Sequence, residues 1–219
     1  MDRQAGGRMI INPDKCFVFI HIPKCAGTSL RSALQPVASA APNGQGAVPI
    51  SRAVNANTKH ESFLEFHAAF QQRTGLGLEA LANYKFIAFS RHPFARFCSL
   101  HAYLLKTHAN IYPDVPQGVD DFVVEFCRGE KAYLQKIRSL KTQFSFVEGV
   151  PPENLVLGKT EDIGRDFEML AEMFQLTAKL EHLNASRSLY QEQSPLSPSS
   201  KRLLEEKYRQ DFAYLGYQP

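Results

Sequence analysis

The chain has 219 residues, of which 44% are hydrophobic and 21% are charged, and its formal net charge is +3. This length and composition favour a folded chain with one buried core over a disordered chain. The small net charge does not indicate nucleic-acid binding through bulk electrostatics. No apolar run reaches the length of about eighteen residues that a membrane-spanning helix needs. The four cysteines form no CxxC pair and do not cluster with histidines, so no metal site is expected.

The first predicted element is a buried strand that leads into a loop suited to phosphate. Residues Cys16–Ile20 form a continuous apolar run, as in a strand buried on both faces of a parallel sheet. Gly27 lets the chain turn tightly and lets an anion approach the backbone. Thr28 and Ser29 then begin a helix, whose unpaired N–H groups and dipole attract a negative ligand. Lys24 adds a mobile cation.

The spacing in this loop differs from that of the nucleoside triphosphatase loop, GxxxxGK[ST]. Here Lys24 precedes Gly27 by three residues, and the loop holds no earlier glycine. A second interpretation therefore stays open. In it, Thr28 or Ser29 is only a helix cap, and Lys24 is merely solvated.

A change of composition follows the first helix. Residues 35–58 are rich in Pro, Gly, Ala, Ser and Asn, which predicts an irregular, mobile loop. Beyond it, Phe63, Phe66 and Phe70 recur at helical spacing and predict a helix with an apolar face. His60 lies at the start of that helix, where the helix dipole favours a neutral imidazole that can act as a base.

A second buried strand, Lys85–Phe89, ends next to an arginine. Arg91 follows the strand, Pro93 suits the first turn of a helix, and Ser99 lies two turns into that helix. Ligands of open α/β sheets bind at the carboxyl ends of the strands. Lys and Arg are present between residues 80 and 113, whereas Asp and Glu are absent. This segment therefore predicts contact with an anion.

The rest of the chain continues the alternation of strands and helices. The pattern predicts a helix over Asp120–Leu140 with a break at Gly129, a strand at Leu155–Leu157, and helices over Ile163–Phe174 and Ser200–Tyr208. Such alternation is typical of an α/β fold, with a mainly parallel sheet and helices on both faces. A single domain over residues 1–219 is expected.

Three segments resemble the motifs of one enzyme family. Residues 21–29 are similar to H-I-P-K-[TC]-[AG]-G-T-[ST], residues 91–99 to R-x-P-x-x-R-x-x-S, and residues 208–217 to Y-x-x-D-[FY]-x-x-[FL]-G-Y. The chain thus resembles the sulfotransferases that use 3′-phosphoadenosine 5′-phosphosulfate (PAPS). Within that family it is similar to the branch of carbohydrate and heparan sulfate O-sulfotransferases and their bacterial relatives.

The resemblance implies a P-loop-like three-layer fold and a reaction. A sulfuryl group would pass from PAPS to a hydroxyl of an acceptor, expected to be a carbohydrate or glycoconjugate, with adenosine 3′,5′-bisphosphate (PAP) as product and no metal. Lys24 would contact the phosphosulfate and stabilise the leaving oxygen, and Arg96 would bind phosphate or pair with a carboxylate. The cofactor-binding residues carried over are Lys24, Cys25, Ala26, Gly27, Thr28 and Ser29 for the 5′ end, with Arg91 and Ser99 for the 3′-phosphate.

The general base is expected near the start of the helix that follows residue 60. His60 is the first candidate, Glu61 the second and Glu65 the third, and both glutamates have a capping role as their alternative. The predicted catalytic set is therefore Lys24, His60 and Glu61. His21 and His92 flank the two motifs and are expected to orient them.

Two other functions remain open at the level of sequence. A nucleotide kinase of P-loop fold would share the strand, loop and helix, but it would need the standard lysine position and a magnesium-binding acid. A non-catalytic nucleotide-binding module would keep both motifs without the base. No nucleic-acid partner or membrane span is expected. Residues 1–12 lack an apolar signal segment, so a cytoplasmic location is expected.

Overall fold

A computed structural model describes residues 9–38, 60–129, 131–180 and 196–219. The chain divides into two compact units, one formed by Met1–Ser90 with Ser145–Asn184 and the other by Arg91–Phe144 with Ala185–Pro219. Each unit thus draws on two separate stretches of the sequence. The single domain expected over residues 1–219 stays a prediction.

The first unit is built on a four-stranded sheet with the order β1-β2-β3-β4. Its strands are β1 (Ile10–Asn12), β2 (Phe17–Ile20), β3 (Lys85–Ser90) and β4 (Leu155–Lys159). β2, β3 and β4 pair in parallel, whereas the short edge strand β1 pairs with β2 in the antiparallel sense. The mainly parallel sheet is confirmed, and β1 is an addition that the sequence did not predict.

The helices are distributed along the whole described chain. In chain order they are α1 (Gly27–Ala38), α2 (Phe63–Thr74), α3 (Pro93–Thr107), α4 (Val119–Arg128), α5 (Ala132–Lys136), α6 (Phe144–Val147), α7 (Ile163–Met173), α8 (Pro198–Lys207) and α9 (Arg209–Leu215). Short 3-10 turns lie at Leu78–Leu81, Arg138–Leu140, Pro152–Asn154 and Thr160–Asp162.

Helices cover both faces of the sheet in the first unit. Successive residues of a strand point to opposite faces, so β2 and β3 each supply two separate cores. One core joins Val18 and Phe86 to the three buried phenylalanines of α2. The other joins Phe19 and Phe89 to apolar residues of α1 and α7. This arrangement confirms the predicted three-layer α/β fold.

The ends of α1 and α2 show how local sequence sets helix length. Ser62 is the N-cap of α2, and Gly75 ends that helix in the left-handed region with φ 70°. α1 continues through residues 35–38, which corrects the predicted start of the irregular loop. Pro36 is tolerated within α1, because its missing N–H leaves only the carbonyl of the exposed residue Ser32 without that bond. The rest of that predicted loop, residues 39–58, lies outside the described residues.

The second unit is helical and has an aromatic core. α3 packs against α4 and α8, and α4 packs against α8. The rings of Phe97 and Phe122 are 5.1 Å apart, and Phe126 and Tyr208 stack beside them. The predicted break at Gly129 is confirmed, since this residue ends α4 with φ 71°. The short helix α9, which follows directly on α8, was not predicted.

The described residues lack two features that would indicate particular function classes. No helix in residues 9–38, 60–129, 131–180 or 196–219 has the length and hydropathy needed to cross a membrane. The same residues contain no group of three or more His, Cys, Asp or Glu side chains arranged to hold a metal ion.

Candidate functional site

The loop between β2 and α1 has an unusual backbone. Lys24 and Ala26 both lie in the left-handed region, with φ 67° and 54°. A residue with a side chain is strained there, at a cost of about 1–3 kcal/mol, and such residues cluster at functional sites. Left-handed residues also turn neighbouring N–H groups to one side, which is the geometry of anion-binding nests.

The first turn of α1 presents backbone donors that have no partner within the helix. The Leu30 N–H donates to the Ala26 carbonyl at 3.2 Å, so the N–H groups of the three residues before Leu30 precede the first helical bond. α1 has no acidic residue in its first turn that would compete with an anion. Thr28 and Ser29 occupy this turn, and Ala26 is the N-cap. The interpretation of Thr28 or Ser29 as the helix cap is therefore wrong.

The side chains of this loop differ in their access to a ligand. Thr28 is exposed, and Lys24 and Ser29 are half-buried. Cys25 is only 1% exposed, and its thiol lies 3.6 Å from the Pro23 carbonyl within the core. Cys25 can therefore offer a ligand its backbone N–H but not its thiol.

Gly27 is required by a close contact with a histidine. A Cβ at this position would lie 1.7 Å from the Nε2 atom of His21. The His21 side chain is buried, stacks on Phe19 with ring centroids 6.0 Å apart, and lies 4.3 Å from the ring of His60. The sequence predicted glycine here for a tight turn. The structure gives a different reason, since the His21 ring fills the space that a side chain would need.

His60 is attached to the backbone of the same loop. Its Nδ1 atom lies 3.1 Å from the carbonyl oxygen of His21. A carbonyl only accepts hydrogen bonds, so Nδ1 carries the proton and, in the neutral ring, Nε2 carries the lone pair. This is the tautomer that a general base needs. His60 lies two residues before the N-cap of α2, at the helix start as predicted.

The two glutamates after His60 have different surroundings. The Glu65 carboxylate accepts the backbone N–H and the hydroxyl of Ser62, both at 2.8 Å, and completes a capping box. The capping alternative is thus confirmed for Glu65. Glu61 is buried, lies before the N-cap and takes no part in this capping box.

The second motif lies in the second unit, where a buried glutamine holds the Arg91 backbone. The Arg91 N–H donates to Gln143 Oε1 at 2.9 Å, and the Gln143 amide donates to the Arg91 carbonyl at 2.8 Å. Gln143 is fully buried. Pro93 begins α3 as predicted, and Ser99 is half-buried on that helix. Sequence reasoning missed Gln143, because a lone glutamine carries no motif.

Gln143 is in turn held by a carboxylate from the end of the chain. Asp211, which is fully buried, accepts the backbone N–H groups of Gln143 and Phe144, each at 2.9 Å. Burial raises the pKa of Asp211 above its ordinary value, and the nearby charge of Arg96 opposes that rise. The aspartate of the tail motif therefore supports the segment that fixes Arg91.

Arg96 is a structural residue of this network. It is 2% exposed and donates to the carbonyls of Ser139 and Lys141 at 2.7 and 3.0 Å. The Tyr208 hydroxyl donates to the Leu140 carbonyl in the same segment at 2.8 Å. The sequence left two roles open for Arg96, phosphate binding and pairing with a carboxylate. These buried surroundings favour the second role, which is a structural one.

His92 connects the second motif to the last residues of the chain. Its Nε2 atom lies 2.9 Å from the carbonyl of Gln218. Its ring packs edge-on against Phe212 and Tyr217, with centroids 5.8 and 5.5 Å away. His92 is also the N-cap residue of α3, so these contacts orient the start of that helix.

Comparison with known proteins gives the family. The model of the sulfotransferase family matches residues 7–142, which is more than half of the chain and includes both motifs. The chain belongs to the sulfotransferase family. Among solved structures, the mouse sulfotransferase SULT7A1 complexed with PAP is similar over 92% of this chain and 67% of that chain, at 14% identity and a TM-score of 0.42. No curated protein gives a significant match.

Replacing Gly27 by alanine is expected to destabilise this sulfotransferase-family protein. The new Cβ must displace the buried His21 ring, and such overpacking costs about 1–3 kcal/mol. Adding His21→Ala removes the clash, so the two changes together should cost at least about 0.5 kcal/mol less than their sum. Urea unfolding of the single and double variants measures this coupling.

The matched control is Gly164→Ala in α7, where an added Cβ meets nothing within 4 Å. Alanine favours a helix over glycine by up to about 1 kcal/mol, so this variant should be neutral or slightly more stable. A Gly27→Ala variant as stable as the control would contradict the proposed contact.

Replacing Asp211 by asparagine is expected to lower the free energy of unfolding by about 2–4 kcal/mol. The carboxylate accepts a hydrogen bond from each of two backbone N–H groups. Asparagine has one acceptor oxygen, so its NH₂ group would face one of these N–H donors and leave it without an acceptor. The control is Asp162→Asn. The Asp162 carboxylate forms an exposed pair with Arg165 at 3.0 Å, so this variant should lose less than about 1 kcal/mol. Equal losses in the two variants would show that the buried network contributes no more than a surface ion pair.

Proposed function

We propose that the protein transfers a sulfuryl group from PAPS to a hydroxyl of an acceptor. The observation that carries the proposal is the bond from His60 Nδ1 to the His21 carbonyl, 3.1 Å long. It attaches a histidine of base-competent tautomer to the same loop that leads into the N-terminus of α1. Family membership gives the class of reaction, and this geometry supports a role for His60 as the base beside a loop suited to an anion.

The 5′ end of the donor would bind at the β2–α1 loop. Lys24 supplies a mobile positive charge. The loop and the first turn of α1 supply backbone N–H groups from Cys25 to Ser29, and Thr28 and Ser29 add hydroxyl donors. Such preorganised donors and charges stabilise negative charge that develops in a transition state, often by several kcal/mol. The half-buried position of Lys24 reduces the screening of its charge by water.

The 3′-phosphate of the donor would bind Arg91 and Ser99. An arginine fork can donate two hydrogen bonds to one phosphate group, and a serine hydroxyl can add a third. Gln143 holds the Arg91 backbone through bonds of 2.9 and 2.8 Å, which reduces the entropy that ordering this residue would otherwise cost. Recognition of this phosphate would separate PAP from AMP and ATP.

The reaction would proceed by in-line displacement at sulfur. The acceptor oxygen forms the new S–O bond, and the bond from sulfur to the bridging oxygen of the 5′-phosphate breaks. The acceptor proton passes to Nε2 of His60, and Lys24 stabilises the charge left on the bridging oxygen of PAP. Glu61 is the second candidate for the base. The resemblance to carbohydrate sulfotransferases favours a sugar hydroxyl as the acceptor.

The first test is titration calorimetry with PAP, AMP and ATP in EDTA. PAP should bind at least about tenfold more tightly than AMP, because one more phosphate contacts charged donors. Arg91→Ala should remove that preference, whereas Arg128→Ala, at an exposed site that ends α4, should keep it. Equal affinity of the wild-type protein for PAP and AMP would refute PAPS as the donor.

The second test concerns the base. His60→Gln should lower the rate of sulfuryl transfer from labelled PAPS to a panel of neutral and acidic oligosaccharides by about 10²–10⁴-fold. The affinity for PAP should stay near the wild-type value. His67→Gln is the control, because His67 lies on α2 and stacks on Phe63 with centroids 5.9 Å apart. Wild-type turnover by His60→Gln would assign the base to Glu61 and prompt the same test on Glu61→Gln.

A further inference from the structure

Arg31 is a buried cation in the helix that follows the phosphate loop. The residue is 9% exposed. Its Nη1 atom is buried and has no hydrogen-bond partner among the described residues. Within that same part of the chain, no ion pair joins it to a carboxylate. Burial lowers the pKa of the guanidinium below its ordinary value, but an arginine stays charged in proteins.

An unpaired buried charge is costly for a folded protein. Removing a guanidinium from water forfeits its hydration, and an opposite charge or several acceptors normally compensate for that loss. Arg31 lacks a compensating carboxylate among the described residues. Such a site is stabilised when an anion enters it, and guanidinium geometry suits phosphate and sulfate oxygens.

The place of Arg31 in α1 indicates which anion it serves. It follows Thr28 by three residues and Gly27 by four, so the three residues share one side of the helix. Long side chains in helices lean toward the N-terminus, over the preceding turn. From position 31 that direction leads to the first turn of α1, where the N–H groups of residues 27–29 precede the first helical bond, which ends at Ala26.

We propose that the Arg31 guanidinium is a further binding group of the phosphate loop and pairs with the 5′-phosphate oxygens of the bound nucleotide. This inference rests on the proposed function, which supplies the nucleotide. It gives the loop two positive side chains of different character. Lys24 is half-buried next to the reacting end, whereas Arg31 is buried in the helix behind the donors of the first turn.

The test combines thermal unfolding with titration of two nucleotides. Arg31→Gln removes the charge, Arg31→Lys keeps it without the fork, and Arg73→Gln removes an exposed charge from α2 of the same unit. AMP carries only the 5′-phosphate, and adenosine 3′-monophosphate carries only the 3′-phosphate. The two ligands therefore separate the ends of the nucleotide.

Without ligand, Arg31→Gln should unfold at the same temperature as the wild-type protein or at a higher one, because the uncompensated charge is gone. Its dissociation constants for PAP and AMP should rise about 10- to 100-fold, as expected for hydrogen bonds to a charged group. Its affinity for adenosine 3′-monophosphate should not change. Arg31→Lys should fall between Arg31→Gln and the wild-type protein, and Arg73→Gln should match the wild-type protein.

A structural role for Arg31 gives the opposite pattern. A lower unfolding temperature for ligand-free Arg31→Gln, with unchanged affinity for PAP and AMP, would overturn the proposal, and so would equal losses for AMP and adenosine 3′-monophosphate. A wild-type protein that binds PAP no better than AMP would refute the donor but not this inference. In that case the loss of AMP affinity in Arg31→Gln still decides the role of Arg31.

Discussion

The packing of the His21 ring against the backbone of Gly27 is the contact on which the candidate site of the first unit depends. The ring stacks on Phe19 of β2, fills the space beside the first residue of α1 and lies 4.3 Å from the His60 ring. One imidazole therefore connects the central sheet, the start of the helix and the proposed base. Because the ring is buried, it contacts all three elements inside the core, and such packing favours a loop that needs little rearrangement on binding.

In the second unit, buried hydrogen bonds hold the backbone of Arg91 in place. Asp211 holds the N–H of Gln143, and the Gln143 side chain holds both backbone groups of Arg91. In this series each buried hydrogen-bond donor meets an acceptor. Buried polar networks stabilise a fold under this condition. Rigidity here comes from the interior and from the tail.

The sequence predicts the architecture well because its signals are local. Continuous apolar runs mark β2 and β3, the spacing of Phe63, Phe66 and Phe70 marks α2, and Gly129 marks the end of α4. The short strand β1 and the helix α9 escape prediction, since tertiary contacts outweigh their weak periodicity.

Local sequence identifies some residues of the candidate site, whereas the roles of others depend on contacts between distant parts of the chain. Residues 21–29 and 91–99 can be recognised as motifs, and so can the tail, but the reasons behind single residues require the fold. Gly27 is fixed by a histidine six positions earlier, and Gln143 meets Arg91 across a long stretch of chain. Arg31 is an ordinary basic residue in the sequence, and only its burial sets it apart. Cys25 lies in a loop, and its position in the sequence gives no sign that its thiol is buried in the core.

The tail contacts also have a consequence for the order of synthesis. Asp211 and Gln218 are made well after their partners Gln143 and His92, which precede them by 68 and 126 residues. On a ribosome, the segment that holds Arg91 gains the contact with Asp211 only after α9 has left the exit tunnel. The loop around Gly27, by contrast, forms its contacts with residues made early. The contacts around Gly27 are therefore available earlier in synthesis than the contacts that support the Arg91 backbone.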